Sequence, residues 1–331
     1  MNPYALTRRS ALLALSATIV SRSVMAQQIK PVIRIQGMNN VRIAVSDLER
    51  STIFYERLFG PARRQRDAAV FPIGNGPNFL ALTAVTGGAN PDFYSYGLSV
   101  ADFDAERVMR SLADLGVSGA QMVRSGDTPE LFVPDANGIR VQLQDTAYGY
   151  GSGRKDDILA PAAAATSVFQ LKSINHVTLT VANGARELEF YRTVFGLPIH
   201  HRQGNSVGLG IGEGREGWHV AFNEAANSPN SSSRINHVCF TIENFDAERI
   251  MAILIDHGLE PIESGIAPLI NQGGKPMTCL VRWRQRADNG GGPTSPLGTP
   301  ELYFTDPDNI AIQILDVSYC GGSGRLGEIC T

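Results

Sequence analysis

Long apolar runs are missing from this 331-residue chain, and none reaches the ~18 residues that a membrane-spanning helix requires. No cluster of lysine and arginine is present, which argues against nucleic acid or an anionic membrane as partner. There is no Cys-x-x-Cys pair and no strand-to-helix serine elbow. Gly210-Ile-Gly-Glu-Gly214 is followed by no helical pattern, so it reads as a turn between strands and not as a phosphate loop. Cysteine is scarce: Cys239 and Cys279 lie in apolar stretches and read as buried thiols, whereas Cys320 and Cys330 sit in a Gly-rich tail where oxidation would close a short loop. Histidine is scarce and one-sided, with six residues and none before position 176.

What remains is ordinary for a globular protein: 43% hydrophobic, 18% charged, net charge −3. The length allows about two domains of roughly 150 residues. Thr7-Arg8-Arg9-Ser10 precedes an apolar run from Ala11 to Val20 and a small-residue cleavage pattern, Val24-Met25-Ala26. These residues resemble a twin-arginine export signal over 1–26, with an ordinary Sec signal carrying an incidental Arg pair as the alternative; either predicts a mature protein in the periplasm or outside the cell. Its removal takes away Arg8, Arg9 and Arg22 and leaves a charge of −6.

Ile174-Asn175-His176-Val177 returns 61 residues later as Ile235-Asn236-His237-Val238. Each copy opens a β-branched run of period two, which predicts a strand with His176, Thr178 and Thr180 on one face, and His237, Cys239 and Thr241 on one face. A larger repeat surrounds the pair. Residues 39–60 match 175–196 at an offset of 136, both ending Phe-Tyr-x-x-x-Phe-Gly; Phe-Asp-Ala-Glu-Arg occurs at 103–107 and 245–249, an offset of 142. Asp135–Gln142 matches Asp306–Gln313, and Tyr148–Gly153 matches Tyr319–Gly324, both at an offset of 171. The chain is therefore read as two homologous domains, 37–150 and 173–324, joined by a linker over 151–172 and followed by a short tail, 325–331. The rise in offset from 142 to 171 predicts an insertion of about 29 residues within Ile262–Thr299, where Asn289–Gly298 has the Gly/Pro-rich composition of a lid or binding loop.

Strand–helix–strands units, paired within a domain and doubled along the chain, resemble the vicinal oxygen chelate superfamily, which includes glyoxalase I, bleomycin resistance proteins and extradiol ring-cleaving dioxygenases. The carrying residues are Val41–Gly60, Val177–Gly196, Val238–Ile250 and Asp306-Pro-Asp-Asn-Ile-Ala-Ile-Gln313. The resemblance implies an α+β fold of two tandem domains, each of paired βαβββ units forming a cupped, half-open mixed sheet. By position it implies His176, His237 and Gln313 as ligands of a divalent metal, Fe(II) first, with Mn, Zn or Ni as alternatives. Their first-domain counterparts, Asn40, Ser95 and Gln142, imply a first domain without metal.

Two imidazoles and a carboxylate on one face suit an Fe(II) oxygenase, but Gln313 stands where the resemblance expects glutamate. Tyr303, in Glu301-Leu-Tyr-Phe-Thr-Asp-Pro307, matches the tyrosine that donates to a metal-bound substrate oxygen. The family's histidine before that element is absent, its window holding Thr294, Ser295 and Pro296. His219 matches the acid/base histidine of extradiol enzymes. His200 and His201 are consecutive, so only one can face a pocket, and a surface role is expected for both; His257 reads as a helix-end residue and Cys239 as core packing. The expected activity is extradiol-dioxygenase-like or glyoxalase/lyase-like chemistry on a small substrate with adjacent oxygens, with homo-oligomerisation left open. The alternative is a non-catalytic small-molecule-binding protein of the bleomycin-resistance kind.

Overall fold

Four times along the chain a long strand runs into a helix whose first turn is closed by an acid or amide side chain. Asp47, Asp104, Asn183 and Asp246 accept hydrogen bonds from the backbone N–H of Arg50, Arg107, Arg186 and Arg249. Each cap satisfies a donor that the helix leaves open and contributes about 1 kcal/mol. The structure, a computed structural model, describes residues 32–65, 67–125, 128–149, 167–203, 206–212, 218–225, 232–262, 276–284 and 299–319. The expected leader, most of the linker, Asn289–Gly298, Cys320, Cys330 and the tail lie outside the described residues.

The first unit is β1 (Ile35–Val45), α1 (Leu48–Phe59), β2 (Arg63–Arg64), β3 (Ala68–Pro72) and β4 (Phe79–Ala84); the second is β5 (Asp92–Val100), α2 (Ala105–Asp114), β6 (Gln121–Ser125), β7 (Thr128–Pro134) and β8 (Arg140–Asp145). The third is β9 (Leu171–Val181), α3 (Gly184–Val194), β10 (Ile199–Gln203), β11 (Ser206–Gly210) and β12 (His219–Glu224). The fourth is β13 (Arg234–Ile242), α4 (Ala247–Asp256), β14 (Glu260–Pro261), β15 (Thr278–Arg284), β16 (Thr299–Thr305) and β17 (Ala311–Asp316). The first two units form an eight-stranded sheet, 2-3-4-1-5-8-7-6, and the last two a nine-stranded sheet, 10-11-12-9-13-17-16-15-14. In each, the first strands of the two units lie side by side and antiparallel at the centre, flanked by parallel partners. This is the expected α+β architecture of paired βαβββ units, with β14 added to the fourth.

Period two divides the central strands. Val41, Ile43 and Val45 in β1, and Val177, Leu179 and Val181 in β9, are fully buried in the apolar core. The alternate residues, Asn40 and Arg42 or His176 and Thr178, are buried too but polar, so each sheet has one apolar face and one polar, concave face.

Among the described residues the two sheets share one apolar core. The ring of Phe59 on α1 lies 6.5 Å from Phe71 of the first sheet and 6.0 Å from Phe240 of the second. The repeated Phe-Tyr of α1 and α3 locks this joint reciprocally. Tyr55 OH donates to Asp306 Oδ2 of the other half at 3.1 Å, and Tyr191 OH donates to Asp135 Oδ2 at 3.4 Å.

The extra length of the second half is not one insertion. Twenty-one residues separate α4 from β15 where six separate α2 from β6, and fourteen separate β15 from β16 where two separate β6 from β7. An apolar strand core, Cys279-Leu-Val281, divides the added chain because its residues pair along β16.

Candidate metal centre

His176 reaches its place from the middle of β9, where its Cα partners are Cys239 on β13 and His219 on β12. Ladder irregularities in β13 fall between Ile235 and His237 and between Cys239 and Phe240. Both Asn236 and His237 consequently line the cavity, which strict alternation would forbid. Cys239 does not line it; it packs with Leu315 and Tyr319, in the core role expected of it. The rings of His176 and His237 meet edge to face with centroids 5.5 Å apart, and Tyr303 stands 5.4 Å from His237. Gln313, on β17, is the cross-strand partner of both Cys239 and Tyr303. His219 stacks on His176 at 4.5 Å. All five expected site residues therefore border one cavity of about 220 Å³.

The asparagine of Ile-Asn-His-Val has a role that its repetition signalled. Asn175 Oδ1 lies 2.8 Å from His176 Nδ1, and Asn236 Oδ1 lies 2.7 Å from His237 Nδ1. Asn175 Nδ2 donates to the Tyr319 carbonyl and Asn236 Nδ2 to Thr180 Oγ1, which fixes how both amides face. An amide oxygen only accepts, so Nδ1 carries the proton in each ring and Nε2 carries the lone pair. This is the tautomer that imidazole adopts when Nε2 ligates a metal.

The third corner is Gln313. Its Oε1 is buried and has no hydrogen-bond partner among the described residues. Its first-domain counterpart, Gln142 Oε1, is satisfied by Asn40 Nδ2 at 3.3 Å, from the position that His176 occupies in the second domain. Among the described residues no three His, Cys, Asp or Glu side chains converge as a metal-binding set. The donor set that fits a divalent ion is accordingly two imidazole nitrogens and a neutral amide oxygen.

The cavity also holds residues that sequence reasoning did not place. Glu301 is fully buried in its wall and accepts from Tyr303 OH at 3.2 Å and from Tyr319 OH at 3.0 Å. The sequence named Glu301 only as the start of the Tyr303 element; nothing in it brings Tyr319 alongside. His201 is buried and lines the cavity, against the surface role expected of it. It lies opposite Gly208 on β11, where a Cβ would run into the imidazole, so that glycine makes the room. Gly208 was the available signal. His200 is the less buried neighbour, and His257 caps α4 with Nδ1 2.8 Å from the Ile253 carbonyl, as expected.

Paired βαβββ modules around a histidine-bearing cavity define the two-domain vicinal oxygen chelate class. The family model of the Glyoxalase/Bleomycin resistance protein/Dioxygenase superfamily matches residues 173–260. Over 80 residues, 24% of this chain, the sequence is 36% identical to the metallothiol transferase FosB of Staphylococcus haemolyticus, and the match spans about half (55%) of that relative's length. The fold is that of the 2,3-dioxygenase LapB from Pseudomonas sp. KL28, with TM-score 0.59 and 16% identity over 89% of this chain and 94% of that one. It is equally that of the Mn(II)-bound glyoxalase from Novosphingobium aromaticivorans, with TM-score 0.58 and 15% identity over 88% of this chain and 87% of that one. The family match lies within the second domain, and the whole chain shares its fold and two-domain layout with extradiol dioxygenases and glyoxalase.

Proposed function

We propose that the protein is an exported, divalent-metal enzyme acting on a small substrate with two adjacent oxygens, in the manner of an extradiol dioxygenase or a glyoxalase-type lyase. His176, His237 and Gln313 hold the metal, with Fe(II) the first choice and Mn, Zn or Ni as alternatives. The observation that carries this reading is the buried, unpartnered Gln313 Oε1 beside two imidazoles whose tautomers leave the lone pair on Nε2. Divalent metal at this site supplies Lewis-acid polarisation of a chelating substrate.

The remaining work falls to the chain itself. Tyr303 OH donates to Glu301, so its oxygen presents lone pairs with which to accept a substrate hydroxyl. A proton arriving at that oxygen can be passed on to the Glu301 carboxylate. The cavity of about 220 Å³ suits a small ring or keto acid. His219, stacked on His176, is placed to exchange a proton with the substrate from the other wall. Export rests on Arg8-Arg9 and the apolar run behind them.

Elemental analysis of the mature protein tests the metal. About one equivalent is expected per chain, abolished in His176→Ala and bound more tightly in Gln313→Glu, since a carboxylate adds a negative ligand. Wild-type protein without stoichiometric metal that still binds catechols or α-keto acids tightly would instead identify a binding protein.

A further inference from the structure

Arg282 sits on β15 with Glu301 as its direct cross-strand partner on β16, and both line the cavity. Opposite charges so placed ordinarily pair across the strands. Here the two Glu301 oxygens accept the hydroxyls of Tyr303 and Tyr319 instead. Among the described residues the half-buried Arg282 has no ion pair, hydrogen bond or ring contact. In the first domain the residue paired with the corresponding Glu130 is Val123, so a cation at this place in the wall belongs to the hollow domain alone.

We propose that Arg282 is the anion receptor of this cavity and selects substrates that carry a carboxylate in addition to their two chelating oxygens. The planar guanidinium fork matches a carboxylate in two parallel hydrogen bonds, and partial removal from water strengthens both. The inference rests on the proposed metal site only for where the chelating oxygens lie. The neutral donor set of that site points the same way, because two imidazoles and an amide cancel none of a bound cation's charge and favour an anionic ligand.

Calorimetric titration of 3,4-dihydroxybenzoate and its uncharged analogue 3,4-dihydroxybenzamide, with metal and after chelator treatment, separates the two ideas. Wild-type protein is expected to bind the acid about tenfold or more tightly than the amide. Arg282→Gln is expected to lose that preference with its affinity for the amide and its melting temperature little changed, and Arg282→Lys to keep part of it. Equal affinities in the wild type, a preference that survives in Arg282→Gln, or binding of neither probe overturns the role of Arg282. A preference that persists in metal-free protein, with no metal taken up on reconstitution, upholds Arg282 while the metal reading fails.

Discussion

The polar faces of the two sheets are built on one plan, yet one is filled and the other hollow. Asn39 and Asn175 make the same hydrogen bond, each donating from Nδ2 to the carbonyl of Tyr148 or Tyr319. Glu130 and Glu301 are both fully enclosed and both accept from that tyrosine's hydroxyl. The halves part at Arg42 and Thr178, which occupy equivalent positions at the offset of 136. Arg42 crosses its own concave face, donates to both oxygens of Glu130 at 2.7 and 3.1 Å and to Tyr148 OH at 2.8 Å, and lies 5.7 Å above the ring of Phe132. Thr178 is too short to do this, and the space is the cavity. The enclosed carboxylate is thus common scaffold, while the site is made by shortening one side chain and placing imidazoles at two positions that elsewhere hold Asn40 and Ser95.

The comparison breaks most sharply at Arg42. Arg42→Thr leaves Glu130 buried without its cation, and losing one partner of a buried pair costs about 3–5 kcal/mol. The melting temperature should fall accordingly, and Glu130→Gln in the same chain should recover part of it; additive losses would show that the pair is not the unit described. Thr178→Arg does the reverse, since it sets a guanidinium beside Glu301 and Tyr319 as Arg42 is set beside Glu130 and Tyr148. It should weaken metal and ligand uptake by about a hundredfold or more, roughly 2.7 kcal/mol, while the chain stays folded by circular dichroism. Uptake at the wild-type level would show that the cavity is not the counterpart of the Arg42 position.

Much of this was legible in the sequence. Offsets of 136, 142 and 171 revealed the modules because each repeat carries its own strand pattern, cap and stop. His176, His237 and Gln313 were found by position, and the structure brings them to one cavity. The plug was not legible: Arg42 and Glu130 stand 88 residues apart, and no local pattern relates them. His201 was misplaced because two consecutive histidines look alike until β10 is set against Gly208. Cys239 shares the face of His237, as period two predicts, because the register from His237 to Cys239 is unbroken and Val238 and Phe240 belong to the apolar core; it packs with Leu315 and Tyr319 and does not line the cavity. The added chain seemed a single loop because offsets count residues and do not say where they fall.

A smaller test concerns the joints between the halves, which also differ at one position. Under Tyr191, Glu187 is fully buried next to Asp135; under Tyr55 the equivalent place is Ser51. Asp135 Oδ1 takes the backbone N–H of Asn137 and Ile139, and Glu187 Oε2 takes Asn137 Nδ2 at 2.6 Å. Burial first, then the negative charge of Asp135, pushes the Glu187 carboxyl up to about 9. Among the described residues Glu187 Oε1 finds no donor, which is what a protonated acid that itself donates to Asp135 would show. A raised carboxyl contributes its stability fully below its ordinary value of 4.5 and loses it as pH climbs to about 9, because the unfolded chain gives up the proton first. The slope from this group is at most about 1.4 kcal/mol per pH unit. Glu187→Gln supplies the donor permanently, so its advantage over wild type should grow from pH 5 to pH 9 and reach about 1–2 kcal/mol near pH 8. Chemical denaturation across that range reads it directly, and parallel curves for the two proteins would mean that the proton is not held at this joint.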